Sequence, residues 1–70
     1  MINQMVLSTE IEWIGYDRRK GMLQVEFIAG GVYQYHSVPE SVYEAFLAAP
    51  SHGQYFESRI KGNYAYRKIR

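Results

Sequence analysis

Between Met22 and Ile28 the chain alternates strictly, with Leu23, Val25 and Phe27 apolar and Gln24 and Glu26 polar. A period of two belongs to a strand with one buried face. Upstream, Ile11-Glu12-Trp13-Ile14-Gly15-Tyr16-Asp17 is rich in strand formers and stops at the turn-forming run Asp17-Arg18-Arg19-Lys20-Gly21. Downstream, Ala29-Gly30-Gly31 turns the chain into a third strand, Val32 to Ser37. Short turns between successive strands predict an antiparallel meander. The Arg18–Lys20 cluster then sits at a hairpin tip, where charge is expected whatever the function.

The second half changes period. Ser37-Val38-Pro39-Glu40 has the form of a capping box, with Ser37 as N-cap, Glu40 three residues on and Pro39 in the first turn. Val42, Phe46 and Ala49 share one face of the helix this opens, with Tyr43 and Leu47 beside them, and Pro50 ends it. Ser51-His52-Gly53-Gln54 repeats the capping pattern. It opens a shorter helix with Tyr55, Phe56 and Ile60 inward and Gly62 at its C-terminal cap. Asn63 to Arg70 alternates Tyr64, Tyr66 and Lys68 against Ala65, Arg67 and Ile69. That segment either adds a short fourth strand or lies extended over the core. The fold expected is α+β: an antiparallel three-stranded meander, with a short C-terminal fourth strand left open, and two helices packed on one face. One domain spans residues 1–70, with residues 1–8 outside the periodic segments as a candidate loose N-terminal segment.

The register of the second hairpin decides where Tyr33 and Tyr35 point. A three-residue loop, Ala29-Gly30-Gly31, pairs Phe27 with Tyr33 and Val25 with Tyr35, and both tyrosines face the core. A two-residue Gly30-Gly31 turn pairs Ile28 with Tyr33 and Glu26 with Tyr35, and turns Gln34 and His36 inward instead. Burying those polar groups without partners costs about 1–3 kcal/mol each. The three-residue loop and an inward tyrosine pair are therefore expected.

Composition narrows the function classes. A chain of 70 residues is one small domain, for which a large core is hard to build, and seven Tyr, three Phe and one Trp help to build it. With no cysteine, disulfides and thiolate metal sites are excluded and a cytoplasmic home is favoured. Met1 to Thr9 has neither the basic group nor the apolar run of a signal peptide, and no stretch is long and apolar enough to span a membrane. No serine stands in a nucleophile-elbow context, and His36 and His52 read as structural or solvated. Two histidines without cysteine make a poor zinc site. Gly30-Gly31 is too short for a phosphate loop and is explained by the hairpin. No catalytic residue, metal or cofactor is expected, and an enzyme is the least favoured class. Charge, by contrast, is polarised. Residues 1–50 hold three basic groups against six acids, a net −3, whereas residues 51–70 hold Arg59, Lys61, Arg67, Lys68 and Arg70 against Glu57, a net +4. An excess of this kind suits either a solvated tail or an anionic partner.

Ile14-Gly15-Tyr16-Asp17, Leu23-x-Val25-x-Phe27, Gly31-x-Tyr33-x-Tyr35, Val38-Pro39 and the closing Tyr64-x-Tyr66-Arg67 together resemble the KTSC domain, from about Ser8 to Ile69. The resemblance implies a small domain that occurs at the C-terminus of some lysyl-tRNA synthetases and as a stand-alone bacterial protein. It implies no established activity, a suggested role in RNA binding, and a Tyr-x-Tyr marker at Tyr33 and Tyr35. Independent chemistry points the same way. Proteins hold single-stranded nucleic acid by stacking bases on aromatic rings beside cations that meet the phosphates. Tyr64 and Tyr66 are the candidate stacking residues, and Arg59, Lys61, Arg67, Lys68 and Arg70 the candidate phosphate-binding ones. The alternatives are a protein-interaction or homo-oligomerisation module, using an open sheet face that shows Met22, Ile28, Ile14 or Val32, and a binder of a small anionic ligand such as a nucleotide between subunits.

Overall fold

A computed structural model describes residues 2–70 as one antiparallel sheet of five strands in chain order. The strands are β1 (Ile2–Met5), β2 (Ile11–Asp17), β3 (Met22–Phe27), β4 (Val32–Tyr35) and β5 (Tyr66–Lys68). Two helices, α1 (Glu40–Ala48) and α2 (His52–Tyr55), fall between β4 and β5, and α2 runs on into a π-helical turn at Phe56–Ile60. The α+β class and the central meander are as expected. The sheet is wider by one strand at each edge: β5 forms from the C-terminal segment, and β1 forms where a loose segment was expected.

β2 carries a bulge. Its pairing shifts between Ile11, opposite Phe27, and Trp13, opposite Glu26. The extra residue, Glu12, puts Ile11 and Ile14 on the same face although they are three apart, and both are fully buried. This corrects the placement of Ile14 on the open face of the sheet. Tyr16, Leu23, Val25 and Tyr35 extend the same buried face, and Tyr43, Phe46, Phe56 and Ile60 close it from the helices. The opposite face carries a row running Asn3, Gly15, Gln24, Gln34, Arg67 across all the strands. Within it Gln34 Nε2 donates to Gln24 Oε1 at 3.1 Å. Val32 lies on that side too but is buried, so of the apolar residues expected there Ile28, at the hairpin tip, is the exposed one.

The β3–β4 hairpin has a three-residue loop, but it is Ile28-Ala29-Gly30. Phe27 N–H donates to Gly31 C=O at 3.1 Å, and Gly30 N–H to Phe27 C=O at 3.0 Å. The resulting register pairs Val25 with Tyr33 and Leu23 with Tyr35, one pair further along than expected. A displacement of two residues keeps every side chain on its face, so the tyrosines still point inward.

At α1 the expected capping box is not formed. Pro39 is the N-cap, with no side-chain cap, and its carbonyl accepts from Val42 and Tyr43. Ser37 adopts φ +59, a left-handed turn that lets Val38 N–H reach Gly21 C=O at 2.8 Å. The Tyr16 hydroxyl donates to Val38 C=O at 2.5 Å. These two bonds tie the α1 entrance to β2 and to the first hairpin. Ser51 does cap α2, its hydroxyl accepting from Gln54 N–H at 3.3 Å. Among the described residues no helix is long and apolar enough to cross a membrane.

Candidate aromatic cleft at the C-terminal edge

The inward side of β4 and β5 is only partly roofed by helices. At that end of the core lies an open cleft of about 620 Å³, lined by Phe27, Tyr33, Tyr35, Phe56 and Tyr66 together with Glu10, Glu57, Lys61 and the tip of the β3–β4 hairpin. A cleft of this volume falls in the ordinary range for ligand sites, roughly 300–1,000 Å³.

The backbone explains the gathering. β5 pairs antiparallel with β4, placing Tyr66 opposite Tyr35, Arg67 opposite Gln34 and Lys68 opposite Tyr33. Alternation sends Tyr66 and Lys68 to the cleft side and Arg67 to the glutamine row on the other face. Tyr66 tilts against both strand tyrosines, with ring centroids 5.8 Å from Tyr33 and 5.5 Å from Tyr35. Tyr33 in turn meets Phe27 edge-on at 5.5 Å, and Tyr35 meets Phe56 at 5.6 Å. Lys68 Nζ stands 5.9 Å from the centroid of the Tyr33 ring, within cation–π range.

The rings differ in what they offer a ligand. Tyr35 is a wall of the core, 4 % exposed, while Tyr66 is 61 % exposed and Tyr33 is intermediate. Burial, and next the neighbouring Tyr66 and Tyr33 hydroxyls, push the Tyr35 phenol up to about 12. Tyr64 packs half-buried against the core and does not present a free ring.

The basic residues are dispersed. Lys61 lines the cleft and pairs with Glu57 one helical turn back, Nζ to Oε2 3.6 Å. The π turn places both on the cleft side, because the Lys61 N–H reaches back five residues to Phe56 C=O while Phe56 and Ile60 stay buried. Arg70 Nη2 lies 3.8 Å from Glu26 Oε1. Arg59, Arg67 and Lys68 are exposed and make no ion pair among the described residues. The structure thus brings Tyr33, Tyr35, Tyr66, Lys61 and Lys68 together, sets Arg67 on the far face, and leaves Arg59 on the exposed side of the π turn.

Sequence reasoning missed Phe27, Phe56, Glu10 and Glu57 as cleft residues. The inward placement of Phe27 on a strand and Phe56 on a helix was visible, but it signals core and cleft wall equally. Glu10 reaches the site from the far end of β2, and its carboxylate rests where a Cβ on Gly53 would stand, 2.7 Å from Oε2. Nothing local in the sequence announces that approach. His52 donates from Nε2 to Leu47 C=O at 3.2 Å, His36 is exposed, and neither lines the cleft.

Comparison with known proteins gives a consistent picture. The KTSC domain family matches residues 7–64, which takes in Tyr33 and Tyr35 and stops short of β5. The crystal structure of a KTSC domain protein from Yersinia pestis superposes with a TM-score of 0.96 at 42 % identity, covering 99 % of this chain and 97 % of the other. An uncharacterised protein of Stutzerimonas stutzeri is 38 % identical over 63 residues, 89 % of each chain. A lysine–tRNA ligase of Nostoc punctiforme is 39 % identical over 59 residues, 84 % of this chain. The chain matches only 10 % of that ligase's length.

Proposed function

Because the chain belongs to the KTSC domain family, which it shares with a segment of lysine–tRNA ligases, we propose that it is a non-catalytic module that binds single-stranded nucleic acid, RNA first, with a base in the aromatic cleft. The observation that carries this reading is Tyr66, an exposed ring on an edge strand beside Tyr33, with Lys68 over the Tyr33 ring. A base stacked on such a ring contributes roughly 1–3 kcal/mol.

Charge orients the ligand. Glu10 and Glu57 line the cleft and repel phosphate, so the base enters and the backbone stays outside. There Lys68 and, around the strand edge, Arg67 and Arg70 meet the phosphates, with Arg59 on the π turn, while Lys61 stays in the cleft against Glu57. The carboxylates accept hydrogen bonds from base amino groups. Tyr64 serves the core rather than stacking. The related ligases act on a tRNA, which agrees with an RNA ligand here.

Titration of a fluorescent single-stranded RNA, read by anisotropy at low and moderate salt, tests the proposal. Affinity falls as salt rises, and replacing Arg67 and Lys68 makes the log–log slope shallower by about 0.7 for each phosphate no longer neutralised. Tyr66→Ala weakens binding by about 1–3 kcal/mol without unfolding the chain. No binding at low salt overturns the proposal. A mononucleotide is the second reading, supported by the cleft volume, and it needs no second subunit because one chain supplies every lining residue. Full competition by a free nucleotide at concentrations matching the RNA favours it.

A further inference from the structure

The sheet has two open edges, and they differ in kind. β5 carries Arg67 and Lys68, with Arg70 just beyond, and basic side chains are a usual protection against edge-to-edge pairing. β1 has no such protection. From Ile2 to Thr9 there is no charged residue, no proline and no glycine. Among the described residues the two most exposed large apolar side chains lie in the same stretch, Leu7 at 97 % and Met5 at 66 %.

Backbone alternation fixes which groups stand unpaired there. Val6 N–H donates to Glu12 C=O at 3.2 Å, and Met5 stands opposite Trp13. In an antiparallel ladder successive residues point their N–H and C=O to opposite sides. Val6 and Gln4 therefore bond to β2, while Asn3 and Met5 turn their backbone groups to the open side, with Leu7 next in the series.

We propose that β1 is a self-association edge, where a second copy of this chain pairs antiparallel about a twofold axis at Met5. Met5 then faces Met5 of the second copy and Asn3 faces Leu7, so each outward backbone group meets a partner in register. An isologous interface asks a surface to be complementary to itself. The uncharged β1 edge meets that condition, whereas the basic β5 edge repels its own copy. The twofold stands perpendicular to the sheet, so the helices of both copies cover the same face. The aromatic clefts, bounded by the opposite edge, remain open at the two ends. The inference is independent of nucleic-acid binding.

The absence of cysteine makes a single introduced thiol a clean reporter. Directly opposed residues of a hydrogen-bonded pair have Cα atoms about 5.5 Å apart, inside the roughly 4.4–6.8 Å that a disulfide spans. In a glutathione redox buffer Met5→Cys is expected to yield a covalent dimer, and Arg67→Cys on the other edge a monomer. Sedimentation equilibrium of the unmodified chain from micromolar to millimolar concentration is expected to show monomer–dimer association. Met5→Lys, which sets like charges opposite one another, abolishes it while the circular dichroism spectrum is unchanged. A chain monomeric throughout that range, a dimer indifferent to Met5→Lys, or equal cross-linking of the two cysteine variants overturns the proposal.

Discussion

Tyr35 joins the core to the cleft, and its ionisation reports on that position. The folded chain keeps the phenol protonated to about 12, above the ordinary 10.0. Between those values the unfolded state has lost the proton and the folded state has not, so the unfolded state binds fewer protons and stability falls as pH rises. Below about 10 the contribution is intact. Tyr16, buried and facing Glu40, is shifted in the same direction and steepens the fall. Urea midpoints measured from about pH 9 to about 12 are expected to drop, and Tyr35→Phe, which keeps the ring and removes the proton, to drop less. Equal slopes for the two proteins would place Tyr35 in a more solvated setting than the core wall. At this scale the tyrosine pair was legible, because the parity of the hairpin loop sends both side chains inward. The difference between them was not. Tyr35 lies under Phe56 and Tyr33 does not, and that depends on where the π turn runs.

Among the elements, those that bury one face announced themselves and those held by backbone alone did not. β3 alternates because one side is core. β1 exposes Asn3, Gln4 and Met5 alike, so no period marks it, and its pairing to β2 is a matter of main-chain bonds. β5 is exposed at all three of its residues and was visible only as one of two alternatives. The α1 entrance misled for a different reason. Ser37-x-x-Glu40 fits a capping box, but the chain uses Ser37 to turn left-handed so that Val38 can bond Gly21 and Tyr16. Tertiary bonds outweighed the local cap. Gly62 was expected as the helix cap, but the cap is Lys61 in an extended conformation, and Gly62 is instead the left-handed residue of the type II turn that Asn63 N–H closes on Ile60 C=O at 3.0 Å. Gly62 has φ +83 and nothing within 4 Å of an added Cβ, so Gly62→Ala meets backbone strain and no clash. A loss of about 1–2 kcal/mol is expected from urea unfolding. A neutral or stabilising effect would mean that the turn closing the cleft relaxes to another conformation.

For the whole molecule, the sheet redistributes what the sequence kept together. Tyr64 to Arg70 reads as one basic aromatic ribbon, yet pairing with β4 splits it into a cleft-facing set, Tyr66 and Lys68, and an outward Arg67. The family marker Tyr33-x-Tyr35 and the C-terminal tyrosine, which looked like rival sites, become walls of one cleft. β1 and β5 both lie outside the residues matched by the family, 7–64, yet the Yersinia pestis structure superposes over 99 % of this chain, so the full sheet with both edges is shared with that protein; in this chain one edge is neutral and the other basic. The cleft opens toward the basic edge, and self-association is assigned to the neutral one. The most direct measurement of the central claim is a titration of isotope-labelled protein with a short single-stranded RNA, followed by backbone and aromatic chemical shifts. The cleft reading predicts saturable shifts at Tyr33, Tyr66 and Lys68, with Gln24 and Trp13 on the far face unmoved. Shifts confined to the far face, or none at saturating RNA, would contradict it.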